Sequence, residues 1–284
     1  MPLNTHLAAI TAEMERLPEP DHAAQDPLLL RQKASELAHS LTWLPNFPSS
    51  DTFTQLCKSL ARDLKPLFAA LERPLPELQI SDDFRWLYEN SPLLYSVLPN
   101  AAETLKSQSQ IPHVRTREGK TVPRVLGIAE GFLAVVSNAF YERELILFLE
   151  AFQETTPLQV RELWMLVPVL KLVLLEQIVA RGKFLLDDPT DESRGVGVCV
   201  RSLRDLGQTT WKDTLEPLMR IDQILQEDPA GAYSRMDFES RDLYRTRLSK
   251  IAEHSDCSEM AVAKMIVALA EKARTRRYAD RRRV

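Results

Sequence analysis

Residues 156–182, TPLQVRELWMLVPVLKLVLLEQIVARG, constrain the fold of this chain more than any other stretch. The segment opens like a helix. Thr156 is a capping residue, Pro157 suits the first helical position, and Gln159 completes a capping box three residues on. Leu163, Trp164, Met165, Leu166, Val167, Val169, Leu170, Leu172, Val173, Leu174, Leu175, Ile178 and Val179 then make it apolar on nearly every face. Such a helix is either the centre of a core or a membrane span. A span needs ~20 mostly apolar residues, and here Glu162, Lys171 and Glu176 interrupt the run. Pro168 predicts a kink and leaves the Trp164 carbonyl without its helical partner. The segment therefore reads as a central, kinked, buried helix, and burial of Trp164 predicts a cost of ~3–5 kcal/mol for Trp164→Ala.

The remaining sequence supplies helices to pack around it. Eighteen Pro stand against eight Gly, and alternating β-branched runs are few, which predicts Pro-punctuated helices rather than a sheet. Helices are expected at 5–17, 27–44, 51–71, 93–105, 123–136, 141–152, 210–225, 237–254 and 258–277, with another opened by Ser81-Asp82-Asp83 and carrying Phe84, Trp86, Leu87 and Tyr88. Gly127 and Gly131, four apart, predict a close helix contact. Residues 106–121 are polar and read as a long loop, and 196–206 fits a helix or a short strand equally well. The fold class is all-α, a multi-helix array around 156–182. Its expected organisation is an amino-terminal helical segment over 1–78 followed by a helical domain over 80–284.

Charge and cysteine usage narrow the function. The net charge is −4, which gives no global affinity for nucleic acid, although the six Arg and one Asp of residues 274–284 carry +5 and the rest −9. That tail suits an anionic membrane surface better than nucleic acid, since Tyr278 is its one interleaved aromatic. Cys57, Cys199 and Cys257 are odd in number and widely spaced, which predicts three structural thiols in a reducing compartment. The first residues, MPLNTHLAAI, lack the basic start and apolar run of a signal peptide, so the cytoplasm is expected.

Motifs for catalysis are sparse. There is no GxSxG, no Walker A, no GxGxxG, and the five His are scattered, so neither a hydrolase triad, a metal nor a cofactor is expected. GVGVC at 195–199 lacks the third glycine of a nucleotide loop. Asp187-Asp188-Pro189-Thr190-Asp191 spells DDxxD, an array that can hold Mg²⁺ against a diphosphate. A free-standing Mg-dependent diphosphate-processing enzyme is thus one alternative reading, and a soluble helical adaptor another. Pro189, however, breaks the register that would align the acids, and no second acidic motif follows.

Two stretches carry a resemblance. TPLQVRELWMLVPVLKLVLLEQI resembles the signature of the amino-terminal region of cyclic β-1,2-glucan synthases, a Leu-Thr-Ile-Gly-Glu-Leu-Trp segment before a Pro-containing helix. DPAGAYSRMDFESRDLYR, residues 228–245, is similar to a second segment of that family. PRVLGIAEGFLAV and DDFRWLYEN extend the likeness over roughly 80–280, while residues 1–78 resemble no known segment. Arg161 stands where the family has Gly, and Gln177 replaces an Asn. The family consists of large membrane glycosyltransferases with cyclising and phosphorylase-like modules. Their Gln-x-x-Arg-Trp motif is absent: the one Arg-Trp is Arg85-Trp86, and Asp82 takes the Gln position. The resemblance thus implies a non-catalytic scaffold or regulatory region, as a fragment ending just before the first membrane segments or as a split product. Its implied partners are the glycosyltransferase and membrane modules, at the cytoplasmic face of the inner membrane. Glu162, Trp164, Tyr233, Arg235, Asp237 and Arg241 are its candidate site. They are expected either as a buried ion-pair and capping network or as a groove for glucan.

Overall fold

The protein is described here by a computed structural model covering residues 25–44, 52–73, 80–106, 111–116, 118–191 and 195–281. The expected helix at 5–17 lies outside the described residues. In chain order the elements are α1 (Pro27–Ser40), β1 (Thr42–Leu44), α2 (Thr52–Leu71), α3 (Asp82–Glu89), α4 (Ser91–Lys106), β2 (His113–Arg115), β3 (Thr121–Pro123), α5 (Arg124–Val135), α6 (Glu142–Thr155), α7 (Val160–Asp187), α8 (Val196–Gln208), α9 (Trp211–Leu215), α10 (Arg220–Leu225), α11 (Phe238–Glu253) and α12 (Glu259–Arg281). Single 3₁₀ turns occupy Glu216–Leu218 and Tyr233–Arg235. The class is all-α.

The expected central helix is α7. It runs for 28 residues and packs against α2, α4, α5 and α8. It is long and apolar enough to cross a membrane, yet 67% of its most apolar window is buried inside the protein. Neighbouring helices cover the faces that make it look like a span. Its bounds differ from the expected 156–182 at both ends. Thr156 is the C-cap of α6, its N–H donating to the Phe152 carbonyl at 3.2 Å. The capping box of α7 is formed instead by Gln159 and Glu162. Gly182 does not end the helix. It sits inside it, where an added Cβ would lie 3.3 Å from both Leu67 Cδ1 and Leu87 Cδ2. Glycine here lets α2 and α3 approach α7.

The close contact expected of Gly127 and Gly131 is present. Gly131 faces α1, where an added Cβ would meet Leu37 Cδ2 at 2.6 Å, and Gly127 faces Leu41 just past its end at 3.6 Å. Segment 196–206 is helical, as α8. The expected helix over 210–225 is broken into α9, a 3₁₀ turn and α10 because Pro217 has no N–H for the ladder.

The largest departure is a small antiparallel sheet. Residues 106–121 are not all loop: β2 pairs with β3 (Val114 opposite Val122) and with β1 (Trp43 opposite Val114). The β2–β3 turn is held by the Thr116 N–H on the Lys120 carbonyl at 2.8 Å, with Gly119 at φ +80°. β1 ends the helix expected over 27–44 at Ser40. The three thiols also differ from expectation: Cys199 is buried and Cys57 half-buried, but Cys257 is exposed.

Candidate functional site

Two clusters of buried charge stand among the described residues. The first is at the mouth of α7. Pro123 ends β3 and Arg124 begins α5, whose N–H is fixed to the Pro112 carbonyl at 2.8 Å. That junction directs the Arg124 side chain, 3% exposed, onto the fully buried carboxylate of Glu162. Arg124 Nε donates to Glu162 Oε1 at 2.8 Å, and Nη2 donates to Oε2 and to the Pro157 carbonyl. Glu162 Oε2 also accepts the Gln159 N–H at 3.0 Å, so one carboxylate both caps α7 and neutralises a guanidinium. The Trp43 ring, 5.5 Å from Arg124 Cζ, covers the other side. Around the same helix end, Glu259 accepts the Val160 N–H at 3.0 Å and the Ser249 hydroxyl at 2.6 Å, and Arg161 pairs with Glu253 at 3.1 Å. These bonds tie α7 to α11 and α12.

The second cluster is centred on Arg245, the largest fully buried side chain among the described residues. Its Nε donates to Asp222 Oδ1 at 2.9 Å, and its Nη2 reaches Asp222 Oδ2 and Glu216. Tyr233 donates its hydroxyl to Asp222 Oδ1 at 2.7 Å, and Arg241 pairs with Glu216 at 3.1 Å. Burial, then the Asp222 carboxylate, push the Tyr233 phenol well above its ordinary range. Burial opposes the charge of Arg245, but its bonds to Asp222 and Glu216 outweigh it and hold the guanidinium charged. Asp228 positions this cluster by accepting the N–H groups of Ala230, Ala232 and Tyr233 around Gly231, which sits at φ +58°.

The six residues singled out from sequence thus fall in different places. Glu162 belongs to the first cluster, and Tyr233 and Arg241 to the second. Trp164 is half-buried, with its ring edge-on to Phe238 at 6.3 Å. Phe238 in turn lies 5.3 Å from Arg245 Cζ, so the two signature segments touch through an aromatic pair. Asp237 is exposed and caps α11 by accepting the Ser240 N–H at 2.8 Å. Arg235 is exposed, donating to the Ala230 carbonyl at 3.1 Å. Sequence reasoning missed Arg124, Asp222, Glu216, Arg245 and Glu259. A signal existed for two of them, since Arg124 interrupts the apolar PRVLGIA and Arg245 ends the 228–245 segment.

Half-burial lowers what Trp164 contributes. About half of a ring that buries 150–250 Å² when fully covered, at ~25 cal/mol per Å², gives about 2–3 kcal/mol for Trp164→Ala, below the value expected from the sequence. Urea denaturation of the variant checks it.

Asp187 is the last residue of α7, and Asp188 to Asp191 form the turn that follows it. Asp188 accepts the Thr190 N–H at 3.1 Å and its hydroxyl at 2.7 Å, and the Pro189 carbonyl accepts the Ser81 N–H at 2.8 Å. Asp187 is therefore on α7 while Asp188 and Asp191 are on a turn stitched to the N-cap of α3, so the three acids share no helical face. Among the described residues no three His, Cys, Asp or Glu side chains are grouped to hold a metal. Burial pushes the Cys199 thiol up to about 11, which keeps it protonated and non-nucleophilic at neutral pH.

Glu259 gives a pH-dependent prediction. Burial, its largest influence, holds this carboxyl above the usual range despite the bonds from Ser249 and Val160. The folded state therefore binds this proton more tightly than the unfolded chain. The stability it contributes is complete below the unfolded value and is lost as pH rises through the raised folded one. Glu259→Gln removes that titration while still accepting from Val160 and donating to Ser249. Parent and variant are expected to melt together near pH ~4, where the free carboxyl is half-protonated, and the variant to melt higher as pH rises toward neutrality. Melting curves across that range check the sign.

Comparison with known proteins adds one relative. The cyclic beta-(1,2)-glucan synthase NdvB of Rhizobium meliloti (strain 1021) is 21% identical over 273 residues of alignment, which take in 66% of this chain and 10% of that protein. The chain thus spans about a tenth of the length of the relative it matches. No family model matches the sequence. The similarity is that of a distant relative and fits the resemblance carried by the two signature segments.

Proposed function

We propose that this chain is a non-catalytic helical scaffold or regulatory region of a cyclic β-1,2-glucan synthase-like glycosyltransferase, acting at the cytoplasmic face of the inner membrane. One observation carries the reading. Glu162 and Arg245 of the family-like segments turn inward and pair, Glu162 with Arg124 and Arg245 with Asp222, while Arg235 and Asp237 stay exposed. Buried charges persist only when paired, so these residues hold helices in place instead of facing a substrate. The transferase and membrane modules, in cis or on a separate chain, are the partners this reading requires.

Incubation of the purified 284 residues with labelled UDP-glucose is expected to give no labelled glucan; incorporation would overturn the proposal. Co-expression with the transferase and membrane modules is expected to give a complex that purifies together. The arginines of 274–284 add an anionic membrane surface as a second contact. Salt should abolish that contact, since exposed charges are screened over ~8–10 Å at physiological ionic strength. Sedimentation with phosphatidylglycerol vesicles at low and high salt tests this.

A further inference from the structure

α2 and α4 pack side by side along α7 but leave a groove open at their outer edge. It measures about 380 Å³ and is lined by none of the residues of the two charge clusters. Phe53 and Leu105, both buried, contribute to its lining from α2 and α4. The half-buried Cys57 and Leu98 line it too, and Ala61 and Ala102 on the two helices leave room that larger side chains would fill. The groove residues are apolar except for Thr54 and two ammonium groups, Lys58 and Lys106. Lys106 shares its charge with Glu103 at 2.9 Å, both exposed to solvent. Lys58 has no carboxylate at ion-pair distance among the described residues. Among the described residues no acid lines the groove.

The size and the charge together select an occupant. The volume falls within the roughly 300–1,000 Å³ of small-molecule sites. An apolar trough bordered by cations complements a molecule with a hydrocarbon tail and a negative head. We propose that the α2–α4 groove binds a single-chain anionic amphiphile, its acyl tail on Phe53, Leu98 and Leu105 and its carboxylate or phosphate head against Lys58 and Lys106. This site is additional to the scaffold role and does not rest on it.

Cys57 provides the reporter. Burial pushes its thiol up, so it alkylates slowly and measurably, while the exposed Cys257 serves as an internal reference. The full chain is treated with laurate, dodecyl phosphate or uncharged dodecanol, then with N-ethylmaleimide, and each cysteine is followed by mass spectrometry. Laurate and dodecyl phosphate are expected to slow alkylation of Cys57 but not of Cys257, and dodecanol to protect far less. Lys58→Glu, a surface change that leaves the melting temperature unaltered, should raise the laurate concentration for half-protection about tenfold, the loss of one charge-assisted contact. Ala102→Trp should abolish protection in a chain that still gives the parent circular dichroism spectrum. Protection by monomeric laurate but not by phosphatidylglycerol vesicles is expected; protection by the vesicles, whose lipid has two chains, would overturn the single-chain assignment. An unchanged Cys57 rate with every additive would overturn the proposal, as would equal protection by dodecanol. Cys57 already blocked without additive would overturn it too, placing a protein segment in the groove.

Discussion

Arg245→Ala is expected to lower the stability of the fold by about 3–5 kcal/mol, the cost of removing one partner from a buried charge pair. Against a total of roughly 5–15 kcal/mol for a folded domain, that is a large fraction. The reason lies in what is left behind. Asp222, 6% exposed, would keep only the Tyr233 hydroxyl, and Glu216 only Arg241. Neither α10 nor the Tyr233–Arg235 turn offers another donor at that carboxylate, so its desolvation goes uncompensated. Replacing both charges at once, as in Arg245→Met with Asp222→Leu, is expected to recover at least half of the loss, because apolar groups of similar volume need no partners. Guanidinium denaturation of the two single variants and the double variant measures the coupling. A loss below ~1 kcal/mol for Arg245→Ala would mean that water reaches Asp222, since exposed pairs contribute only about that much.

How far this arrangement could be read beforehand depends on how local its causes are. The helices were legible because apolar spacing, Pro and caps such as Ser81 and Asp237 act within a few residues. The start of α7 was misplaced because Thr156-Pro157 satisfies the local rule for a helix opening. The actual start is set by Glu162, which caps Gln159 while bonding Arg124 thirty-eight positions away. The strand at 42–44 was missed for the same reason: Thr-Trp-Leu continues a helical pattern until β2, some seventy residues on, supplies its partner. Buried charges are the least legible of all. Arg245 sits between Tyr244 and Thr246 on a polar helix, where, the resemblance of 228–245 aside, no apolar spacing or cap separates it from the exposed Arg247. Only the fold of 216–233 around it does.

The second large effect is expected at Glu162. Glu162→Ala should cost about 3–5 kcal/mol for the uncompensated Arg124 and about 1 kcal/mol more for the lost cap. Arg124 would retain the Pro157 carbonyl and the face of Trp43, while its Nη1 already lacks a hydrogen-bond partner among the described residues. Glu162→Gln separates a framework role from a glucan-facing one. The amide keeps one acceptor for Arg124 but removes the charge, so a framework role predicts a large loss of stability, smaller than that of alanine. If Glu162 and Trp164 instead faced glucan from an open groove, the amide would fold and melt like the parent while weakening retention of a β-1,2-glucan. The geometry favours the first outcome. The carboxylate has no exposed surface, and both of its oxygens are already occupied by Arg124, one of them also by Gln159. A sugar hydroxyl would have to displace a guanidinium that has no water to move into. A melting temperature within a degree or two of the parent for Glu162→Gln, measured by calorimetry, would show that the pair is solvated and restore the groove.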